Sequence, residues 1–156
     1  MTPPTSLEID GTSTLTSTES LIASAGITGE GLLAERNEPV QWLQQCIINI
    51  WKLRDLPANW DSYGAKPVNP DSIQFAMEVM NALSSITGVS CPRIAASPAG
   101  NVALSWDLED YTRELDVELD PNRVIRYAYI DEENSTKDCE GVAKNLDVIA
   151  QFLTQW

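Results

Sequence analysis

The spacing of the apolar residues changes once along this chain, and that change limits the folds it can form. Between residues 38 and 88 apolar residues recur every three or four positions, and from Pro92 onward they alternate with polar residues. A spacing of three to four is typical of amphipathic helices, and a spacing of two is typical of strands that bury one face. The sequence therefore predicts helices followed by a sheet, which is an α+β fold.

Proline and asparagine mark where the predicted helices begin and end. Pro39 suits the first position of a helix, and Pro57 ends that helix because the residue before a proline is disfavoured in the α conformation. A second helix is predicted to begin after Asn69 as its cap, with Pro70 at the first helical position. A last helix is predicted over residues 141–156, because apolar residues recur there at helical spacing.

Two short loops predict the pairing of the strands. Residues 98–100 fit a three-residue hairpin loop, which pairs Ile94 with Leu104 and Ala96 with Val102. Residues 120–122 repeat that geometry and predict that Asp116 lies opposite Arg126.

The second hairpin is also expected to pair Val117 with Ile125, Leu115 with Tyr127, and Arg113 with Tyr129. A four-residue turn between the hairpins, over residues 108–111, would place Arg113 opposite Trp106. The predicted order is α-α-β-β-β-β-α, a four-stranded antiparallel meander covered on one face by helices.

The first 37 residues differ in composition from the rest of the chain. They are rich in serine and threonine and poor in large apolar groups. Such a segment cannot offset its ordering entropy by burial. We therefore expect a flexible acidic tail over residues 1–37 and a single α+β domain over residues 38–156.

The charge and the missing histidine exclude several classes of function. The net charge is −13 and the chain has no histidine, so histidine-based nucleophilic catalysis and histidine-ligated zinc are excluded. An acidic chain is repelled by nucleic acid and by anionic membranes, and it favours a basic protein partner. We expect no cofactor, no metal and no membrane segment.

The cysteines and the first residues bear on the compartment. Cys46, Cys91 and Cys139 show no metal-binding or redox spacing, which favours three reduced thiols. The N-terminus lacks the basic region of a secretory signal. Together these features predict a cytoplasmic protein.

A row of acids on one predicted strand is the first candidate site. Glu114, Asp116 and Glu118 alternate with apolar residues and would share one face of the strand, with small neighbours on that face: Ala95, Ala103, Ser105 and Ala128. One interpretation is a solvated face that discourages unwanted strand pairing. The other is a flat negative surface that docks a basic protein.

The loop between the two predicted helices is the second candidate site. It reads Asn-Trp-Asp-Ser-Tyr-Gly-Ala over residues 59–65 and resembles a pattern of uncharacterised small bacterial and phage-type proteins. That resemblance covers residues 50–130 and implies a fold but no activity. Asn59 and Asp61 can cap backbone amides, and Trp60 can anchor the loop, which would be a structural role. Alternatively Asp61 is a general base with Tyr63 as a hydrogen-bond donor.

Two functions remain in view. The first is an interaction module that binds a basic partner, such as an inhibitor, an immunity or antitoxin-like protein, or an adaptor subunit. Its predicted binding residues are Glu114, Asp116, Glu118, Trp60, Asp61 and Tyr63. The second is a carboxylate-dependent hydrolase or metal-dependent enzyme centred on Asp61. The sequence predicts no oligomeric state.

Overall fold

The computed structural model describes residues 41–109 and 111–155. The predicted tail over residues 1–37 and the predicted helix start at Pro39 lie outside the described residues.

The described residues contain three α-helices, two before the strands and one after them. Helix α1 occupies residues 41–52 and continues into a 3-10 helix at Leu53–Asp55, α2 spans Pro70–Ser84, and α3 spans Asp147–Thr154. The predicted start of α2 is confirmed, because Pro70 is its first residue and the Asn69 side chain accepts a hydrogen bond from the Asp71 amide at 2.8 Å. Among the described residues, none of the helices is long and apolar enough to cross a membrane.

The strands form one antiparallel sheet whose spatial order is the order of the chain. Its members are β1 (Arg93–Ala96), β2 (Val102–Leu108), β3 (Arg113–Leu119), β4 (Ile125–Asp131) and β5 (Cys139–Ala143). A short 3-10 helix, Ser135–Lys137, lies between β4 and β5. The fold is α+β, as the spacing of apolar residues predicts.

One hydrophobic cluster joins the helices to one face of the sheet. It contains Ile50 of α1, Met80 of α2 and Ile149 of α3 together with Leu104 and Leu115 of the central strands, all with no exposed surface. Alternate residues along each strand enter this cluster, so the remaining residues face away from it. The sheet therefore has a buried face and a second face free of helices among the described residues.

The fifth strand corrects the predicted fold. Residues 139–143 pair with β4, where the last helix was expected to begin, and α3 starts six residues later than predicted. A Cβ atom built on Gly141 would lie 2.6 Å from the Tyr127 hydroxyl oxygen, so glycine lets the ring cross the strand. The Asn145 side chain accepts from the Asp147 amide at 3.2 Å in a turn just before the helix, whose first residue is Asp147.

The pairing of the first hairpin is confirmed, and that of the second is wrong by two residues. Ile94 pairs with Leu104 as predicted, with Gly100 in the left-handed region at φ 88°. In the second hairpin Glu118 pairs with Arg126 and Leu119 with Ile125. The cause is Asp120, whose carboxylate accepts from the amides of Asn122 and Val124 at 2.8 and 3.1 Å and so lengthens the loop.

Within that longer loop the residue with positive φ is Arg123, at 62°. The turn between the hairpins shifts as well: Arg113 lies opposite Leu108 and not Trp106, and opposite Asp131 and not Tyr129. A shift of two residues preserves the strand face. The predicted division into inner and outer residues therefore holds although the pairs differ.

The cysteines also correct the prediction of three reduced thiols. Cys46 of α1 forms a disulfide with Cys91, just before β1, with Cα atoms 6.6 Å apart. Cys139 is free and exposed. The pairing escapes sequence reasoning because 45 positions separate the two residues.

Candidate functional site

The face of the sheet that points away from the helices carries the predicted acidic row. Two cross-strand rows lie side by side there, Arg93–Ser105–Asp116–Ala128–Glu140 and Ala95–Ala103–Glu118–Arg126–Val142. We call this surface the outer face; it comprises those two rows with Asp107, Glu114 and Ile130. Within it, Glu114, Asp116 and Glu118 are the β3 acids, and their small predicted neighbours are all present.

Two of the β3 acids, Asp116 and Glu118, are held by uncharged side chains of β2 and of the turn between β1 and β2. Glu118 accepts from the Ser97 hydroxyl at 2.8 Å and from the Asn101 amide nitrogen at 2.7 Å. Asp116 accepts from the Ser105 hydroxyl at 2.5 Å. Such contacts fix the direction of the carboxylates without neutralising them.

Positive charge on the outer face is insufficient to balance the acids. Arg93 bridges Asp107 at 3.1 Å and Glu114 at 2.9 Å, and Arg126 pairs with Asp120 at 3.4 Å. The carboxylates of the outer face outnumber its two guanidinium groups. The surface is therefore negative at neutral pH, with its excess on Asp116, Glu118 and Glu140.

A depression of about 330 Å³ lies in the middle of the outer face. Its lining includes the small side chains of Ala103 and Ala128 and the carboxylates of Asp116, Glu118 and Glu140. It also includes Arg126, which pairs with Asp120 at 3.4 Å. Because alanine projects little beyond the backbone, a side chain of another molecule can reach between these acids. The shape suits a long cationic side chain better than an enclosed small molecule.

The outer face also has an apolar side. Ile130 and Val142 are 44% and 67% exposed on β4 and β5. Ile130 lies opposite Glu114 and Val142 lies opposite Arg126, one on each side of the Ala128–Glu140 pair. Exposed aliphatic groups beside charged ones are the arrangement found in interfaces that combine burial with charge pairing.

The loop over residues 59–65 is built around its two side-chain acceptors. Asp61 accepts from the amides of Tyr63 at 2.9 Å and Ala65 at 3.0 Å, and Asn59 accepts from the Gly64 amide at 2.7 Å. These bonds close a tight turn in which Asn59 and Ser62 have positive φ, as Gly64 does at 93°. The expected capping role of Asn59 and Asp61 is therefore present.

The electrostatics of Asp61 follow from those hydrogen bonds. Donation from the Tyr63 and Ala65 amides lowers the pKa of the Asp61 carboxyl below its ordinary value. A carboxylate stabilised in this way is a weaker base. The hydrogen bonds of Asp61 account for its place in the loop without a catalytic role.

Trp60 and Tyr63 differ in how they are held. The Trp60 indole nitrogen donates to the Lys66 carbonyl at 3.3 Å, whereas the Tyr63 side chain is 93% exposed. The amide of Lys66 donates to the Pro98 carbonyl at 3.0 Å, so the loop contacts the β1–β2 turn. That turn also supplies Ser97, which holds Glu118.

Sequence reasoning missed several residues of the outer face. The predicted last helix includes Val142, no strand is predicted at Glu140, and the contacts of Arg93, Ser97 and Asn101 with the acids join distant positions. The glycine at 141, unfavourable inside a helix, was the one local signal for the fifth strand.

The described residues contain no group of three or more histidine, cysteine, aspartate or glutamate side chains that could hold a metal ion. Comparison of the chain with protein-family models, curated proteins and solved structures finds no match. The resemblance of the loop at residues 59–65 to small bacterial and phage-type proteins stays a prediction.

Proposed function

We propose that this protein is an acidic interaction module that binds a basic protein through the outer face. The observation that carries the proposal is the row of β3 acids with small residues, Ala103 and Ala128, on the two flanking strands. Exposed Ile130 and Val142 lie on the same face. Opposite charge speeds encounter and selects the partner, while apolar contact adds affinity. The partner would present a basic residue, lysine or arginine, beside an aliphatic patch.

The loop over residues 59–65 has a secondary place in this proposal. Trp60 and Tyr63 offer aromatic surface, and aromatic side chains are common anchors of interfaces. Tyr63, with its side chain almost fully exposed, is the better candidate of the two for partner contact. Asp61 would contribute indirectly, by shaping the loop that presents the Tyr63 side chain.

The enzyme alternative centred on Asp61 stays a prediction. The two backbone hydrogen bonds that lower the pKa of Asp61 favour its structural role over proton abstraction at neutral pH. The more specific roles of inhibitor, immunity or antitoxin-like protein, and adaptor subunit also stay predictions, as does a cytoplasmic location.

The test is binding by variants that remove charge without removing shape. Proteins captured from an extract of the source cells would be purified, and their affinity for the chain measured at about 50 mM and about 500 mM salt. We expect the triple variant Glu114→Gln/Asp116→Asn/Glu118→Gln to bind a basic partner at least about tenfold more weakly than the unaltered protein at low salt. High salt should also lower the affinity of the unaltered protein for this partner.

A matched control loses the same number of negative charges elsewhere. Asp55, Glu132 and Glu133 are exposed and lie off the outer face, and their Asn, Gln and Gln variants should bind as the unaltered protein does. Equal weakening by both variants would show that net charge alone drives binding and would refute a specific face. Undiminished binding by the β3 variant would refute the proposal as well.

A further inference from the structure

The Cys46–Cys91 disulfide ties α1 to the segment just before β1. Within α1, only Cys46 and Ile50 are completely buried among the described residues, and Ile48 and Trp51 are about half exposed. The rest of the core comes mainly from α2 and the sheet. Cys46 and Ile50, with the partly buried Trp42 and Leu43, pack against this core, and the covalent bond adds to that contact in holding α1 in place.

The two cysteines differ in their exposure at the surface. Cys46 has no exposed surface, whereas Cys91 is exposed at the surface. Cys91 also lines a depression of about 320 Å³ together with Ser90, Arg93, Trp106 and Tyr111. A thiol from solution can therefore approach the bond from the Cys91 side.

The loop beside that depression is unusual in its backbone. Tyr111 has φ 68° and a side chain that is 78% exposed, and Glu109 has φ 43°. Non-glycine residues in the left-handed region carry conformational strain that the surrounding structure must hold in place. The exposed Tyr111 ring borders the approach to Cys91 and offers a contact surface to an incoming protein.

We infer that Cys46–Cys91 is a thiol–disulfide exchange site that controls the docking of α1. A thiolate of a dithiol reductant attacks the Cys91 sulfur, the Cys46–Cys91 bond breaks, and Cys46 leaves as a thiolate that takes up a proton. The second thiol of the reductant then attacks the mixed disulfide and releases Cys91. Two electrons and two protons pass to the protein, and the reductant is oxidised to a disulfide.

Opening the bond frees α1 while leaving the sheet and α2 folded. Cys46 and Ile50 then leave the core together with the partly buried Trp42 and Leu43, which exposes an amphipathic helix. This inference goes beyond the proposed partner binding: the depression at Cys91 borders the outer face at Arg93, whereas α1 packs against the other side of the sheet.

Hydrogen exchange of the full chain in a dithiothreitol redox buffer tests the inference. Alkylation should modify one cysteine in the oxidised protein and three in the reduced protein. Reduction should raise amide exchange in residues 41–52 at least about tenfold and leave β2, β3 and β4 unchanged. Cys46→Ala should show the fast exchange in both buffers, and Cys139→Ser should respond as the unaltered protein does.

Three results would overturn the inference. In the first, all three cysteines are alkylated under oxidising conditions, which would show that the bond does not form. In the second, α1 exchanges at one rate in both buffers, so the bond does not hold it. In the third, β3 loses protection together with α1 on reduction, so the bond supports the whole domain rather than one helix.

Discussion

The turns and the outer face of this protein use carboxylates in different ways. In the turns, Asp61, Asp120 and Asp131 each accept hydrogen bonds from two backbone amides a few residues further along the chain. On the outer face, the β3 acids accept from side chains of neighbouring strands and turns. The first group, which we call the turn acids, shapes the backbone. The second group does not, because the backbone around it is held by the hydrogen bonds of the sheet.

This comparison shows which acids are available to a partner. A carboxylate that organises a turn cannot change its contacts without loosening that turn, so evolution of a binding surface is restricted there. A carboxylate held by serine or asparagine side chains can exchange those contacts for a ligand at lower cost. Substitution of the turn acids should therefore lower stability, and substitution of the β3 acids should lower binding.

The largest expected effect on stability is at Asp131. Its side chain is completely buried, lies 3.2 Å from Arg113 and 3.8 Å from Lys137, and accepts from the amides of Glu133 and Asn134. Asp131→Ala should lower the free energy of unfolding by about 3 to 5 kcal/mol, because a buried ion pair loses one partner. Urea denaturation measures the change.

The control for Asp131 lies in the same loop. Glu133 is exposed, so Glu133→Ala should change the free energy of unfolding by less than about 0.5 kcal/mol. A loss under about 1 kcal/mol for Asp131→Ala would contradict the view that the turn acids organise the fold.

The next effect is a dependence on pH at Asp61. Because the folded pKa of Asp61 is lowered, its contribution to stability is complete above the unfolded value near 3.8 and disappears as the pH falls through the folded value. Asp61→Asn should melt at a lower temperature than the unaltered protein at pH 7. The difference should narrow as the pH falls below about 4.

Thermal melts between about pH 2 and pH 7 would measure that dependence. A melting-temperature difference that stays constant over this range would show that the Asp61 charge has no part in closing the loop. Asp55→Asn, which removes an exposed carboxylate paired only with Arg54 at 3.4 Å, provides the comparison.

The smallest effect on stability is expected at Glu114. Its ion pair with Arg93 joins side chains that are 39% and 65% exposed, so solvent screens the interaction. Glu114→Gln should change the free energy of unfolding by less than about 0.5 kcal/mol. A loss above about 1.5 kcal/mol in urea denaturation would place this acid with the turn acids instead.

The sequence predicts the alternation of faces better than it predicts the pairs. A hairpin shifted by two residues keeps every side chain on its face, which is why the small neighbours of the β3 acids were found although Asp116 lies opposite Ala128 rather than Arg126. The loop contacts of Asp61 were predictable because they span four residues. The partners of Glu118 were not, since Ser97 and Asn101 are 21 and 17 positions away.

The fifth strand and the disulfide were missed for the same reason. Residues 139–143 become a strand only because β4 is available to pair with them and Gly141 leaves room for Tyr127. The Cys46–Cys91 bond likewise depends on where the whole domain brings two distant residues. Local patterns indicate what a segment can form, and its tertiary neighbours decide which form it takes.

The order of the sheet has a consequence for how the protein folds during synthesis. Every strand pairs with its neighbour in the chain, so the sheet can grow one hairpin at a time as residues leave the ribosome. Of the helices in the described residues, α1 is made first, yet the residue it bonds to, Cys91, follows 45 positions later. Helix α1 therefore waits for a partner, and its apolar side is a surface that needs protection until β1 has been synthesised.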